Sequence, residues 1–248
     1  MRTVLVDAVA LLLYPGLLTA AAAGVLGELA QARLFAGRVR ARTIIRPLFS
    51  RPPATAVAAA VAGALAAAQL GAPFSPLDAL DRNVLVAIAC GAAIAWLGWA
   101  WTPGEAGSVV MAGVSGWAVA VLAPAVVAQD LHPAALAALT VSAAVPAKLA
   151  AAVLYVVSLP AVLDVAKGSR PQRLWLWLPA GGLFASVFMP PAGDDALDLA
   201  RFFGAGALVV AVALGLGRVA GSSRAYPVVI VALALVTASL AAVASFMH

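Results

Sequence analysis

Residues 24–53, GVLGELAQARLFAGRVRARTIIRPLFSRPP, join an apolar segment to a strongly basic one. The apolar part carries one acid, Glu28, and no acid follows it in this stretch. Apolar side chains such as Leu34 and Ile44 are interleaved with the basic ones, so the segment can lie along a membrane surface or dock against a soluble partner. We predict that residues 33–53 form a basic amphipathic segment that docks a partner. The expected docking residues are Arg33, Arg38, Arg40, Arg42 and Arg46, and Arg51 completes the six arginines.

The composition places the chain among membrane proteins. Hydrophobic residues make up 65% of the sequence and charged residues 10%, whereas about a quarter of the residues in a soluble domain are charged. Apolar blocks long enough to cross a bilayer recur from end to end. The sequence therefore predicts an all-α, polytopic membrane protein that forms one integral membrane domain over residues 1–248. Because the positive charge belongs to the membrane faces, nucleic acid is not expected as a partner.

Hydropathy predicts eight spans and the loop charges predict their orientation. If the arginine segment is cytoplasmic, eleven Lys and Arg residues lie on the inner side, three lie outside and one, Lys148, lies within a span. This asymmetry follows the positive-inside rule. It places both termini on the outer side of the cell membrane, that is, of the inner or plasma membrane. The predicted spans are residues 3–31, 54–71, 83–101, 107–129, 134–160, 174–191, 199–217 and 226–247.

Lys148 is the predicted intramembrane charge. It lies about two turns or more from either end of the span at residues 134–160, two positions after Pro146. An ionisable side chain at such depth is costly and suggests function, such as a step in a proton pathway. The alternative is a lysine that extends to one membrane face or pairs with a neighbouring protein.

Glu28 and Asp164 are the other acids that lie close to the spans. Glu28, near the cytoplasmic end of the first span, can receive a proton or pair with Arg33, five residues further on. Asp164 ends the fifth span and can pair with Lys167. Tryptophans at the span ends, including Trp177, are typical of the aromatic belt at the membrane interface.

Few residues are available for metal or haem binding. The chain has one cysteine, Cys90, so no internal disulfide is possible, and two histidines, His132 and His248, both outside the predicted spans. Haem between membrane helices needs axial ligands such as histidine within the spans. The sequence also has no Walker loop and no HExxH pair. We therefore predict no metal site and no catalytic residue.

The beginning of the chain resembles a known family. YPGLL at residues 14–18, followed by residues 24–50, is similar to the first span and following loop of the H-type membrane subunits of respiratory complex I. That family includes the membrane-anchor subunits of energy-converting (group 4) hydrogenases and formate hydrogenlyase. Glu28, the arginines at 33–42 and the element Arg46-Pro47-Leu48 stand in the places of the family's glutamate, basic segment and Gln-Pro-Leu-like element.

The resemblance implies a membrane-anchor subunit of an oxidoreductase assembly. Such a protein links a soluble electron-transfer arm, which carries iron–sulfur clusters, to antiporter-like, ion-translocating membrane subunits. It also implies a quinone at the interface with a partner, and a proton or ion pathway for which Lys148, Glu28 and Asp164 are the candidates.

The sequence departs from the family where quinone chemistry is expected. The fourth span reads AVAVLAPAVVA at residues 118–128 and lacks the family's acid, and LPAVLDVAKGSRPQ at 159–172 keeps Asp164 as its sole acid. The resemblance therefore supports a scaffold role for this chain better than it supports quinone chemistry. We expect this chain to bind no cofactor by itself. The alternative functions are a small transporter or channel that uses Lys148, and a purely structural assembly protein.

Overall fold

The computed structural model describes residues 2–37, 44, 53–99, 106–140, 144–165, 171–191, 193–220 and 223–247. Within these ranges the chain is helical and contains no β-strand. Short 3-10 turns at Ala79–Asp81 and Arg173–Leu176 precede the helices that begin at Val84 and Trp177. The helices are α1 Arg2–Leu12, α2 Leu17–Ala36, α3 Ala54–Ala68, α4 Val84–Trp99, α5 Ala106–Ala128, α6 Pro133–Ala137, α7 Val145–Val162, α8 Trp177–Phe188, α9 Ala196–Ala220 and α10 Tyr226–Phe246.

These apolar helices confirm the prediction of an all-α, polytopic membrane protein. A helix satisfies its backbone hydrogen bonds internally, as an apolar environment requires. A described helix lies in each of the eight predicted spans, and α3 and α4 are short apolar helices. Within the described part of the chain, five segments are long and apolar enough to cross a membrane, namely Val4–Phe35, Gly107–Ala128, Val145–Val162, Ala196–Val219 and Tyr226–Phe246.

The first predicted span is divided at Pro15, between α1 and α2. Proline lacks an N–H group and its ring clashes with the preceding helical turn, so a helix rarely runs through it unchanged. The Thr19 hydroxyl donates to the carbonyl of Leu13 at 3.0 Å across the break. Beyond it, α2 continues to Ala36, past the predicted end at residue 31.

The predicted span at residues 134–160 is divided as well. α6 ends at Ala137 and α7 begins at Val145. Pro133 is the first residue of α6 and Pro146 is the second residue of α7, positions at which a helix does not need the N–H that proline lacks. The prediction of one continuous helix over this range was therefore wrong.

α8 and the 3-10 turn before it form the centre of the bundle. Every residue from 173 to 183 is buried, and the segment packs against α2, α3, α4, α7 and α9. Small residues permit this close approach between helices. An added Cβ atom on Gly27 would lie 2.4 Å from Cδ2 of Trp177, and one on Gly181 would lie 2.9 Å from the carbonyl oxygen of Gly206. α8 is thus enclosed by protein along most of its length.

Hydrogen bonds between loops define one end of the bundle. The Phe74 N–H donates to Oδ1 of Asp194 at 2.9 Å, which joins the loop after α3 to the loop after α8. We call this the Arg82 end, after the arginine in the loop between α3 and α4. The opposite end, which carries the turn before α8, is the Arg173 end.

Candidate functional site

A buried ion pair at the Arg173 end joins α2 to the turn that precedes α8. Glu28 is 0% exposed and Arg173 is 5% exposed. The Nε atom of Arg173 lies 2.6 Å from Oε1 of Glu28, and its Nη2 atom lies 2.9 Å from Oε2. Two parallel N–H···O bonds to one carboxylate are the strong, geometrically specific form of this pair. The pair connects residues 145 positions apart in the chain.

Further hydrogen bonds surround the pair. The Trp177 indole N–H donates to Oε1 of Glu28 at 2.9 Å, and Nη2 of Arg173 also donates to Oε1 of Gln31 at 2.6 Å. Gln31 in turn donates through Nε2 to the carbonyl of Val165 at 2.9 Å. The guanidinium carbon of Arg173 lies 5.8 Å from the centre of the Trp177 ring, within the range of a cation–π interaction.

The local sequence explains how these side chains meet. Glu28 and Gln31 are three residues apart in α2, and therefore lie on the same face of the helix. Gly27 lies beside them and leaves room for the Trp177 ring. On the opposite side, Arg173 is the first residue of the 3-10 turn, and Trp177 is the first residue of α8.

Burial determines what this cluster can do. Taking two charges out of water costs several kcal/mol per ion, roughly, and is offset only by good geometry and additional hydrogen bonds. The Glu28 carboxylate accepts two hydrogen bonds from Arg173 and one from Trp177. Loss of either charge would leave the other buried without its counter-ion. The cluster therefore holds α2 in one specific position against α8.

The structure corrects the predicted partner of Glu28. Its counter-ion is Arg173, whereas Arg33 lies in the last turn of α2 and is exposed. Asp164, with a backbone φ of 46°, accepts a hydrogen bond through its carbonyl oxygen from Nη1 of Arg173 at 3.0 Å. Two of the three predicted pathway residues, Glu28 and Asp164, thus meet at Arg173. Lys167, the predicted partner of Asp164, lies outside the described residues.

Lys148 lies at the Arg82 end, away from the ion pair. It is the fourth residue of α7, and its Nζ donates to the carbonyl oxygens of Leu136 at 2.8 Å and Ala137 at 2.9 Å. These carbonyls belong to the end of α6, where a helix leaves its last carbonyls without internal partners. Asp164 lies 16 residues further along the chain, or about 24 Å along a helix axis. The prediction that Lys148 lies two turns or more from either end of its span was therefore wrong for the helix that carries it, because Lys148 lies in the first turns of α7.

Most of the predicted docking segment lies outside the described residues. Within residues 33–53 the structure describes 33–37, 44 and 53. Arg33 is exposed, and Ile44 is 6% exposed. The predicted docking residues outside the described part are Arg38, Arg40, Arg42 and Arg46.

An apolar groove of about 330 Å³ lies beside the ion pair, between α2, α8 and α9. Leu26, Trp177, Phe202 and Leu214 are among its lining residues. Its size and lining suit a hydrocarbon chain. Among the described residues that line it, the side-chain hydrogen-bond donor is the indole N–H of Trp177, and this N–H already donates to Glu28. The groove therefore suits an apolar chain, and its described lining residues offer no free side-chain donor to a polar group.

Sequence reasoning missed Arg173, Gln31 and Trp177. It placed Arg173 among the loop cations and Trp177 in the interfacial belt, but Trp177 is 3% exposed. The signal was present in RLWLWL at residues 173–178. An arginine that begins a run of bulky apolar residues is drawn into the bundle with them, and a buried arginine needs an acid from another helix.

The described residues contain no group of three His, Cys, Asp or Glu side chains that could hold a metal ion. No protein-family model matches this chain, and no curated protein matches its sequence. The fold and the site define an α-helical, polytopic membrane protein with a buried ion pair at one end.

Proposed function

We propose that this chain is the membrane-anchor subunit of a complex I-like or group 4 hydrogenase-like respiratory assembly. It links a soluble arm, which carries iron–sulfur clusters and transfers electrons, to antiporter-like membrane subunits that translocate ions. The observation that carries the proposal is the buried Glu28–Arg173 pair, at the end of the bundle where the basic segment begins. The resemblance of residues 24–50 supplies the type of assembly.

The ion pair supports an anchoring role through its position. Arg33 follows Glu28 by five residues, so the basic segment begins about 8 Å along the α2 axis from the fixed carboxylate. Buried charged groups can specify one arrangement of helices at some cost in stability. A docking surface benefits from such a fixed starting point, because arginines held in place lose less conformational freedom on binding.

The groove supports a limited role in quinone binding. We propose that α2, α8 and α9 hold the isoprenoid tail, and that a partner protein supplies the groups that bind the quinone carbonyls. A bound quinone would accept electrons from the soluble arm. The residues of this chain would exclude water from the tail and orient it, which is an accessory and non-catalytic role.

The contacts of Lys148 favour a structural role for this residue over a role in a transport pathway. Its Nζ is engaged by the last carbonyls of α6, as expected of a lysine that caps a helix C-terminus. We propose that Lys148 holds α6 against α7. The small transporter or channel that would use this residue is therefore the weaker candidate, and any proton or ion step in this chain involves Glu28 and Asp164 at the opposite end.

The orientation is part of the proposal. We propose that the Arg173 end faces the cytoplasm and that both termini lie outside the inner or plasma membrane, since basic loops are retained inside. Reporter fusions after residues 51 and 167 are expected to report the cytoplasm, and a fusion after residue 195 the outer side. A cytoplasmic signal after residue 195 would contradict this orientation.

Purification from native membranes tests the proposal. An affinity-tagged chain is expected to co-purify with soluble subunits that give iron–sulfur signals in electron paramagnetic resonance spectra, and with antiporter-like membrane subunits. Arg38→Ala, Arg40→Ala and Arg42→Ala combined should release the soluble subunits and leave the tagged chain in the membrane. The matched control is Arg201→Ala, which removes an exposed arginine at the Arg82 end. A tagged chain that purifies alone or as a homo-oligomer would contradict the anchor function.

A further inference from the structure

A second cavity, of about 300 Å³, lies at the Arg82 end. It is formed by the loop between α3 and α4, by α6, by the end of α8 and by the loop before α9. This volume is at the lower limit of known small-molecule pockets, roughly 300–1,000 Å³. Because apolar helices end around it, the cavity lies near the depth of the lipid headgroups.

The cavity carries charges of both signs. Arg82, Asp78 and Asp194 line it, which gives one positive and two negative side chains. Burial lowers the pKa of Arg82, and the nearby carboxylates of Asp194 and Asp78 act in the opposite direction. A ligand with an anionic group for the guanidinium and a cationic group for a carboxylate would match these charges.

Several hydrogen bonds fix the walls of the cavity. Nε of Arg82 donates to the carbonyl of Leu77 at 3.1 Å, so the guanidinium is held in place. The Gly71 N–H donates to Oγ of Ser186 at 2.9 Å, which ties the loop after α3 to α8. Preformed walls reduce the ordering cost of binding.

We propose that this cavity binds a zwitterion with a phosphate and a primary ammonium group, the chemistry of a phosphoethanolamine. The guanidinium of Arg82 binds the phosphate, and Asp78 and Asp194 accept hydrogen bonds from the ammonium. The same group occurs as the headgroup of phosphatidylethanolamine and as a free solute.

Binding to the purified full-length protein tests the inference. Native mass spectrometry and titration with short-chain lipids should show phosphatidylethanolamine binding about tenfold or more tightly than phosphatidylcholine, whose quaternary ammonium has no N–H to donate. Arg82→Gln should lose most of this binding. Asp78→Asn, whose side chain makes no bond to the loops in the described structure, should weaken it several-fold without loss of fold. Arg201→Gln, an exposed arginine at the same end, is the control and should bind normally.

A second titration distinguishes the two sources of the ligand, the lipid headgroup and the free solute. Free phosphoethanolamine that binds to the protein as tightly as the lipid would assign the site to a solute, and lipid binding that the free compound does not displace would assign it to the membrane. Equal binding of the two lipids by the wild-type protein, together with no binding of free phosphoethanolamine, would overturn the inference. So would unchanged binding in Arg82→Gln, provided that thermal unfolding shows this variant to be folded.

Discussion

Arg173→Met is the substitution that most directly probes the buried ion pair. It removes the bonds from Arg173 to Glu28 and to Gln31, and the bond to the carbonyl of Asp164. The Glu28 carboxylate, 0% exposed, keeps the Trp177 N–H as a donor. Breaking a buried pair on one side costs about 3–5 kcal/mol. Because unfolded segments in a membrane also find polar partners, we expect the lower value, about 3 kcal/mol.

A double-mutant cycle separates the pair from simple packing. Glu28→Met alone should cost a similar amount, because the buried Arg173 then loses the Glu28 carboxylate that it binds. The double variant Glu28→Met/Arg173→Met removes both charges and should lose only about 1–2 kcal/mol, because the Trp177 N–H loses its bond to Glu28 and Oε1 of Gln31 loses its bond to Arg173. The coupling between the two sites is therefore expected to be large and favourable.

Reversible unfolding in mixed detergent micelles, followed by far-UV circular dichroism, measures these free energies. Arg33→Met is the matched control, since it removes an exposed arginine from the same helix, and should change the free energy of unfolding by less than about 0.5 kcal/mol. Additive losses in the double variant, or an Arg173→Met variant as stable as Arg33→Met, would refute the reasoning.

Three further substitutions test other parts of the structure. Lys148→Met should cost about 1–3 kcal/mol and raise hydrogen exchange in α6 relative to the remaining helices, because the carbonyls of Leu136 and Ala137 lose the Lys148 ammonium as a donor. Unchanged exchange in α6 would argue against a cap. Gly27→Val should cost about 1–3 kcal/mol by overpacking, since its Cβ would lie 2.4 Å from the Trp177 ring, whereas Gly204→Val, with nothing near its added Cβ, should fold normally. The backbone N–H of His132 lowers the pKa of Asp130. The wild-type protein should therefore be more stable than Asp130→Asn above about pH 4, and should lose that advantage as the pH falls through the lowered pKa. A difference in stability that persists in acid would contradict this assignment.

The starts of two helices follow closely from hydropathy. The predicted starts at residues 54 and 226 match Ala54 and Tyr226, because polar or proline-containing segments precede these two apolar blocks. The enclosed position of α8 was not predictable in the same way. Hydropathy measures whether a segment avoids water, and a helix surrounded by lipid and one surrounded by protein satisfy that condition equally.

Lys148 shows how an error in one helix boundary changes a functional prediction. A continuous helix over residues 134–160 buries the lysine deeply. Pro133 and Pro146, each at the beginning of a helix, were the signal for two helices, because proline is favoured in the first turn. Once the helix is divided, the lysine lies opposite the carbonyls of a helix end.

The Glu28–Arg173 pair could not be identified from local spacing. Spacing rules for helices apply to residues three or four apart, and they directed attention to Arg33. The true partner is 145 residues away and comes into contact through the packing of α2 against the turn before α8. A contact between residues so far apart in the sequence depends on how the helices are arranged. The sequence of this chain alone does not specify that arrangement.

The subunit composition of the complex in native membranes tests the anchor function most directly. The tagged wild-type chain, purified in mild detergent, is predicted to carry soluble iron–sulfur subunits in a fixed ratio together with antiporter-like membrane subunits. The variant in which Arg38, Arg40 and Arg42 are replaced by alanine should keep the membrane subunits and lose the soluble ones. A wild-type chain recovered without iron–sulfur subunits, or a variant that retains them in the wild-type ratio, would contradict the account.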